Sequence, residues 1–187
     1  MESGSPFRVS GDSSRPNTKR TGEYCEAAFL LKATEEGFYV AKPWGDSERY
    51  DFIIDSGRRL WRVQLKCTAS ISFRGYAVQA IHFVYGEGKV PYTADDIDVL
   101  VTYIIPRKIW YVLPVEVFAP FTTLRFYPDI ECKRARWEKY REAWDLLRRP
   151  RGSLNQQNPA PTVKDCGQPP GSEPPEDHVE AGSPRRG

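Results

Sequence analysis

The chain has 187 residues, 40% of them hydrophobic and 28% charged, with a formal net charge of +2. That length supports one well-buried domain, and the mild basic bias is compatible with nucleic acid without demanding it. Four cysteines without CxxC spacing and two histidines exclude a Cys- or His-rich zinc site, and no run reaches the roughly 18 apolar residues of a membrane helix.

Composition divides the chain into three parts. Residues 1–16 and 152–187 are rich in Ser, Pro, Gly and charge and are expected to be disordered tails. Residues 17–151 hold all five Trp and every Tyr and read as one domain, with 22 Lys and Arg against 18 Asp and Glu. Scattered thiols and the lack of an apolar leader make a reducing cytoplasm the expected location, with no membrane association.

The stretch TGEYCEAAFLLKATEEG predicts a helix, with Thr21 as a candidate N-cap, Ala27, Leu30 and Leu31 at helical spacing, and Gly37 placed to end it. FYVAKP (38–43) reads as a strand and PWGDSER as a loop. Strands at about 50–55 and 60–67, joined by the turn DSGRR, should lie antiparallel. YAVQAIHFV (76–84) predicts a fourth strand, GEGKVPYTADD a loop with a helical turn, and DVLVTYII and IWYVLPVEVF two strands about the turn PRK. Finally, IECKRARWEKYREAWDLLRR (130–149) predicts a long amphipathic helix closed by Pro150, with Trp137, Tyr140, Trp144 and Leu147 along one side. The result is an α/β domain with a mixed β-sheet flanked by an N-terminal and a C-terminal helix.

Residues 48–67, ERYDFIIDSGRRLWRVQLKC, carry the chemistry. Strand alternation places Trp61, Val63 and Leu65 on one face and Arg62, Gln64 and Lys66 on the other, with Gln64 and Lys66 roughly 6–7 Å apart. Asp51, across the hairpin, can join that polar face. A carboxylate, an amide oxygen and the Leu65 backbone carbonyl suit Mg²⁺, which takes oxygen ligands and keeps several waters. The Lys66 ammonium can then stabilise negative charge developing on a phosphate. With His178 in the tail, a Ser/His or Cys/His mechanism would rest wholly on His82, so carboxylates, lysine and a hard metal are the expected chemistry.

A helix bearing a glutamate, then Asp, then a hairpin into (D/E/Q)-x-K resembles the PD-(D/E)XK nuclease superfamily, whose fold is a restriction-endonuclease-like core. Within it, residues 20–70 resemble the archaeal Holliday-junction resolvases and the intron-encoded endonucleases whose third motif is Gln-x-Lys. The resolvases run G-x-x-x-E and then eleven residues from that Glu to a Gly-Phe, a spacing matched here by Gly22, Glu26 and Gly37-Phe38. The resemblance implies Glu26 as the helix carboxylate, Asp51 as the central metal ligand, Gln64 at the third-motif position and Lys66 as the catalytic lysine. Tyr50 replaces the namesake proline, and Gln64 is a poorer ligand for Mg²⁺ than a carboxylate.

The implied function is a Mg²⁺-dependent DNA endonuclease in which Mn²⁺ can substitute. The alternative is a DNA-binding module of the same fold with weak or no turnover. Related nucleases cut two strands as dimers or tetramers, so a homodimer or homotetramer is expected by analogy. Glu23 competes with Glu26, and spacing favours Glu26. Asp55, Asp95, Asp96 and Asp98 read as turn and helix-start residues, and Glu116 is peripheral. The aromatic row of the last segment reads as core, and its opposite face carries Lys133, Arg134, Arg141 and Arg148, open to phosphates or to solvent. Arg49, Arg58, Arg59 and Arg62 are the candidates for holding a DNA backbone.

Overall fold

The structure, a computed structural model, describes residues 18–45 and 47–148, and both expected tails lie outside them. Helix α1 (Thr18–Glu35) begins a turn before Thr21, which therefore lies inside the helix. Its C-terminus closes at Gly37, whose φ of 80° lets the amides of Gly37 and Phe38 reach the carbonyls of Thr34 (2.9 Å) and Ala33 (3.0 Å). The buried stripe is Cys25, Phe29 and Ala33, whereas Ala27, Leu30 and Leu31 are exposed. The Phe29 ring decides that rotation, since it packs on Phe52 at 4.7 Å between centroids and also meets Trp110 and Trp144.

Five strands form the main sheet in the order β1 (Tyr39–Ala41), β2 (Phe52–Asp55), β3 (Leu60–Thr68), β8 (Val99–Ile104) and β9 (Ile109–Pro114). All pairs are antiparallel except β3 with β8, so the sheet is mixed as expected. The run 76–84 is two strands, not one: β5 (Gly75–Gln79) joins β4 (Ile71–Ser72) and β10 (Thr123–Phe126), while β6 (Ile81–Val84) pairs with β7 (Gly88–Pro91). The switch falls at Ala80, whose amide still bonds the Thr122 carbonyl at 2.8 Å. The GEGKVP portion expected as loop thus supplies β7. VEVF, expected to continue a strand, is the short helix α2 (Val115–Phe118).

Every residue of β8 and β9 is buried, because the sheet is covered on both faces. One core gathers α1, Phe52, Ile54, Trp61, Val63 and Trp110. The other gathers Tyr76, Leu100, Ile104, Tyr111 and Phe126. The expected C-terminal helix over 130–149 is replaced by turns and two 3-10 segments, Glu138–Tyr140 and Trp144–Arg148. The reason is visible in the aromatic row. Trp137 and Tyr140 fill the second core, Trp144 and Leu147 the first, and no single helical stripe can face both sides of a sheet. Between them Arg141 bridges Tyr111 beside β9 and Glu142 turns the backbone at φ 49°. The Trp61 indole N–H then fastens the end to the Leu147 carbonyl at 2.9 Å.

Candidate active site

The site forms where β3 outruns β2. The ladder between them begins at Phe52 and Val63, with the Asp51 amide donating to the Val63 carbonyl at 2.9 Å. Beyond that pair the Leu65 amide has no strand partner on the β2 side, and the Asp51 carboxylate takes its place. Oδ2 of Asp51 accepts from the Leu65 amide at 2.8 Å and from the Gln64 side-chain amide at 2.6 Å. Gln64 also donates to the Leu65 carbonyl at 3.3 Å and is only 7% exposed, so the carboxylate is held from two directions by a buried frame.

Glu26 arrives from α1 and accepts an ion pair from Lys42 Nζ at 2.6 Å; that ammonium also lies 5.7 Å from the Phe52 ring centroid. Burial pushes the Asp51 carboxyl up from its ordinary range; the Leu65 amide and the charges of Lys66 and Lys42 oppose this, and the Glu26 charge adds to it. Glu26, and not the exposed Glu23, is the helix carboxylate whose charge acts on Asp51. Burial pushes Lys66 down, against the pull of Asp51 and Cys67. Its ammonium stands 5.7 Å from the centroid of the Tyr92 ring.

The structure therefore brings Glu26, Asp51, Gln64, Leu65 and Lys66 together, and adds Lys42 and Tyr92, which sequence reading did not single out. Lys42 follows the short strand after the Gly-Phe pair, and nothing in its spacing sets it apart from a surface lysine. Tyr92, 3% exposed, rests against His82 at 4.9 Å between centroids; it stands in the segment expected as loop, and no spacing there marked it. His82 Nε2 lies 3.9 Å from Asp96, whose other oxygen caps the turn through Thr93.

Of the four arginines expected around the pocket, Arg49 donates to the Phe83 carbonyl at 3.0 Å and Arg58 is exposed in the β2–β3 turn. Arg59 and Arg62 are bound internally. Both reach Asp98, at 3.0 and 3.3 Å, and Arg62 also donates to the carbonyls of Ala94 and Asp95. Asp55 accepts from the Gly57 amide within its turn, and Glu116 is exposed on α2. Arg148 is spent on Asp145 and Glu36, and Arg141 lies beside Glu138.

A family profile described as PD-(D/E)XK endonuclease matches residues 16–147, which spans the helix glutamate, the hairpin and both cores. The chain belongs to the PD-(D/E)XK endonuclease family. A bacterial homing endonuclease, I-Ssp6803I, has a similar solved structure: 30% identity, a TM-score of 0.62, and coverage of 71% of this chain and 93% of that one. No curated protein matches the chain. Members of the PD-(D/E)XK family generally use divalent metal ions, and the donor set of this one fits a hard ion. Among its described residues no three His, Cys, Asp or Glu side chains cluster as a closed metal site. Two carboxylates, an amide oxygen and a backbone carbonyl would leave the remaining positions of a hard divalent ion to water. No helix among the described residues is long and apolar enough to cross a membrane.

Proposed function

We infer that this chain hydrolyses phosphodiester bonds in DNA with the help of a divalent metal, Mg²⁺ in the cell and Mn²⁺ as a substitute. The observation that carries the reading is the Asp51 carboxylate, half-buried and fixed by Gln64 and the Leu65 amide within reach of the charges of Glu26, Lys42 and Lys66. When bound, such an ion activates water and neutralises charge on the phosphate. Asp51 and Glu26, with the Leu65 carbonyl and Gln64, would hold it.

The remaining work falls to the protein's own groups. Gln64 keeps Asp51 in one orientation. Lys66, half-buried, offers a positive charge to the phosphate oxygens as negative charge develops. Lys42 offsets the mutual repulsion of the two carboxylates. Arg58, exposed, and Arg49, whose one bond among the described residues goes to the Phe83 carbonyl, are left to hold the DNA backbone, since Arg59 and Arg62 are paired with Asp98 and the 94–98 turn. A cytoplasmic location remains our reading of the scattered cysteine spacing, and analogy with related nucleases that cut two strands makes a homodimer or homotetramer the proposed assembly.

Purified protein with Mg²⁺ or Mn²⁺ should nick DNA, and Asp51→Ala should abolish nicking while leaving the fold intact by circular dichroism. Cleavage undiminished in that variant refutes the assignment. Salt-sensitive DNA binding by wild type without cleavage or metal uptake would instead identify a DNA-binding module.

A further inference from the structure

Beside the site stands a two-stranded hairpin that belongs to neither larger sheet. β6 and β7 pair only with each other, so the hairpin is held from its sides. On its inner face His82 packs on Tyr92, and Tyr92 on Lys66. Along one edge Arg49 donates to the Phe83 carbonyl. The hairpin is thus fastened directly to the residues proposed to act on phosphate.

Strand alternation that turns His82 inward turns Phe83 outward, where it is 65% exposed. Its cross-strand neighbour is the exposed Lys89. Tyr85, just past β6, is 97% exposed, and Trp44, in the segment that carries Lys42 and Arg49, is 100% exposed. The bare rings of Phe83 and Tyr85, with Arg49 bonded to the Phe83 carbonyl and Lys89 across from Phe83, suit a ligand that offers flat apolar faces joined by negative charge. A single-stranded nucleic acid segment is such a ligand. A paired duplex is not, because its base faces are covered by their neighbours and only edges and phosphates remain accessible. A second copy of the chain fits poorly, since a self-complementary contact would set these cations against their own copies, whereas the centres of protein interfaces are depleted of charge.

We propose that the β6–β7 hairpin is a stacking platform for unpaired bases, so that the substrate is DNA in which at least one base beside the scissile phosphate has left the stack. The proposal rests on the nuclease reading and narrows it. Phe83 and Tyr85 act in substrate selection and take no part in the chemistry.

The test uses two duplexes of equal length in Ca²⁺, one fully paired and one carrying a single bulged 2-aminopurine. Anisotropy measures affinity and 2-aminopurine emission reports stacking. Wild type should prefer the bulged duplex by about tenfold, the size expected for one base stacked on an aromatic ring, and should quench its fluorescence. Phe83→Ala/Tyr85→Ala should lose the preference and the quench while keeping its affinity for the paired duplex. Tyr85→Ala alone, at a fully exposed position, should show part of the same loss.

Equal wild-type affinity for the two duplexes overturns the proposal, as does a preference that survives in the double variant. A dimer by sedimentation that the double variant dissolves, without any duplex preference, overturns it in favour of self-association. Absence of binding to either duplex would refute the nuclease reading itself; binding to both without preference would remove only the stacking platform.

Discussion

Replacing Gln64 with glutamate tests how the site is held together. The Gln64 amide nitrogen is 2.6 Å from Asp51 Oδ2 and the residue is 7% exposed, so a carboxylate there would confront Asp51 with little water between them. Two such charges about 4 Å apart at an effective dielectric of about 20 repel by about 4 kcal/mol. The alternative is to keep one proton at pH 7 on a group that ordinarily ionises near 4.3, which costs about the same at about 1.4 kcal/mol per pH unit. Without metal, Gln64→Glu should therefore lose about 4 kcal/mol, or on the order of 10–15 °C in melting temperature. The variant's shared proton gives it a folded-state pKa above the unfolded value. Its deficit is thus full near neutrality and shrinks as pH falls towards 4.3, to about 1 kcal/mol at pH 5. Thermal unfolding by circular dichroism at pH 7 and 5, with and without Mn²⁺, measures this. Mn²⁺ should raise the melting temperature of the variant more than that of wild type. A metal-free Gln64→Glu that melts within about 3 °C of wild type at pH 7 would refute the reasoning.

Asp98→Ala, which strands Arg59 and Arg62 and leaves the Arg62 amide without its 2.8 Å acceptor, should cost about 3 kcal/mol in urea unfolding without changing DNA affinity. A large drop in affinity at unchanged stability would show that these arginines serve the ligand instead. Trp144→Ala empties a site 2% exposed between Phe29 and Trp110 and should lower stability by about 3–5 kcal/mol in the same assay. Burial pushes the Glu36 carboxyl up, but bonds from Lys32 and Arg148 outweigh it and hold it below its ordinary range. Its contribution is therefore present above the unfolded pKa and fades as pH falls through the folded one. Glu36→Gln should lose about 1 kcal/mol at pH 7 and progressively less as pH falls below the ordinary carboxylate range, measured as the difference in urea midpoints.

Much of this geometry could be read from the chain because strand alternation is rigid. Once DFIID and LWRVQLK are paired, Asp51 and Gln64 fall opposite each other whatever surrounds them, and the hydrogen bond between them follows. Glu26 was found by its distance to Gly37, whose positive φ fixes the helix end. Lys42 and Tyr92 escaped because each lies just past the end of a short strand, where no period relates it to the partners it meets on α1, β2, β3 and β6. The C-terminal segment misled for a different reason. Its apolar spacing is helical, but that spacing also suits a chain that delivers Trp137 and Tyr140 to one face of a sheet, turns at Glu142, and delivers Trp144 and Leu147 to the other. The arginines near the hairpin were counted by proximity in sequence, which says nothing about the competing carboxylate of Asp98, more than thirty residues away.

That divided segment has a consequence for how the protein is made. Glu26, Asp51, Gln64 and Lys66 are all synthesised within the first half of the described residues, whereas Trp137, Tyr140, Trp144 and Leu147 come last among them and close both sides of β8 and β9. A nascent chain halted between the two sets would display every group of the proposed chemistry on a sheet open to chaperones and proteases. The last described turn therefore decides when the sheet is covered, long after the residues of the proposed chemistry have been laid down.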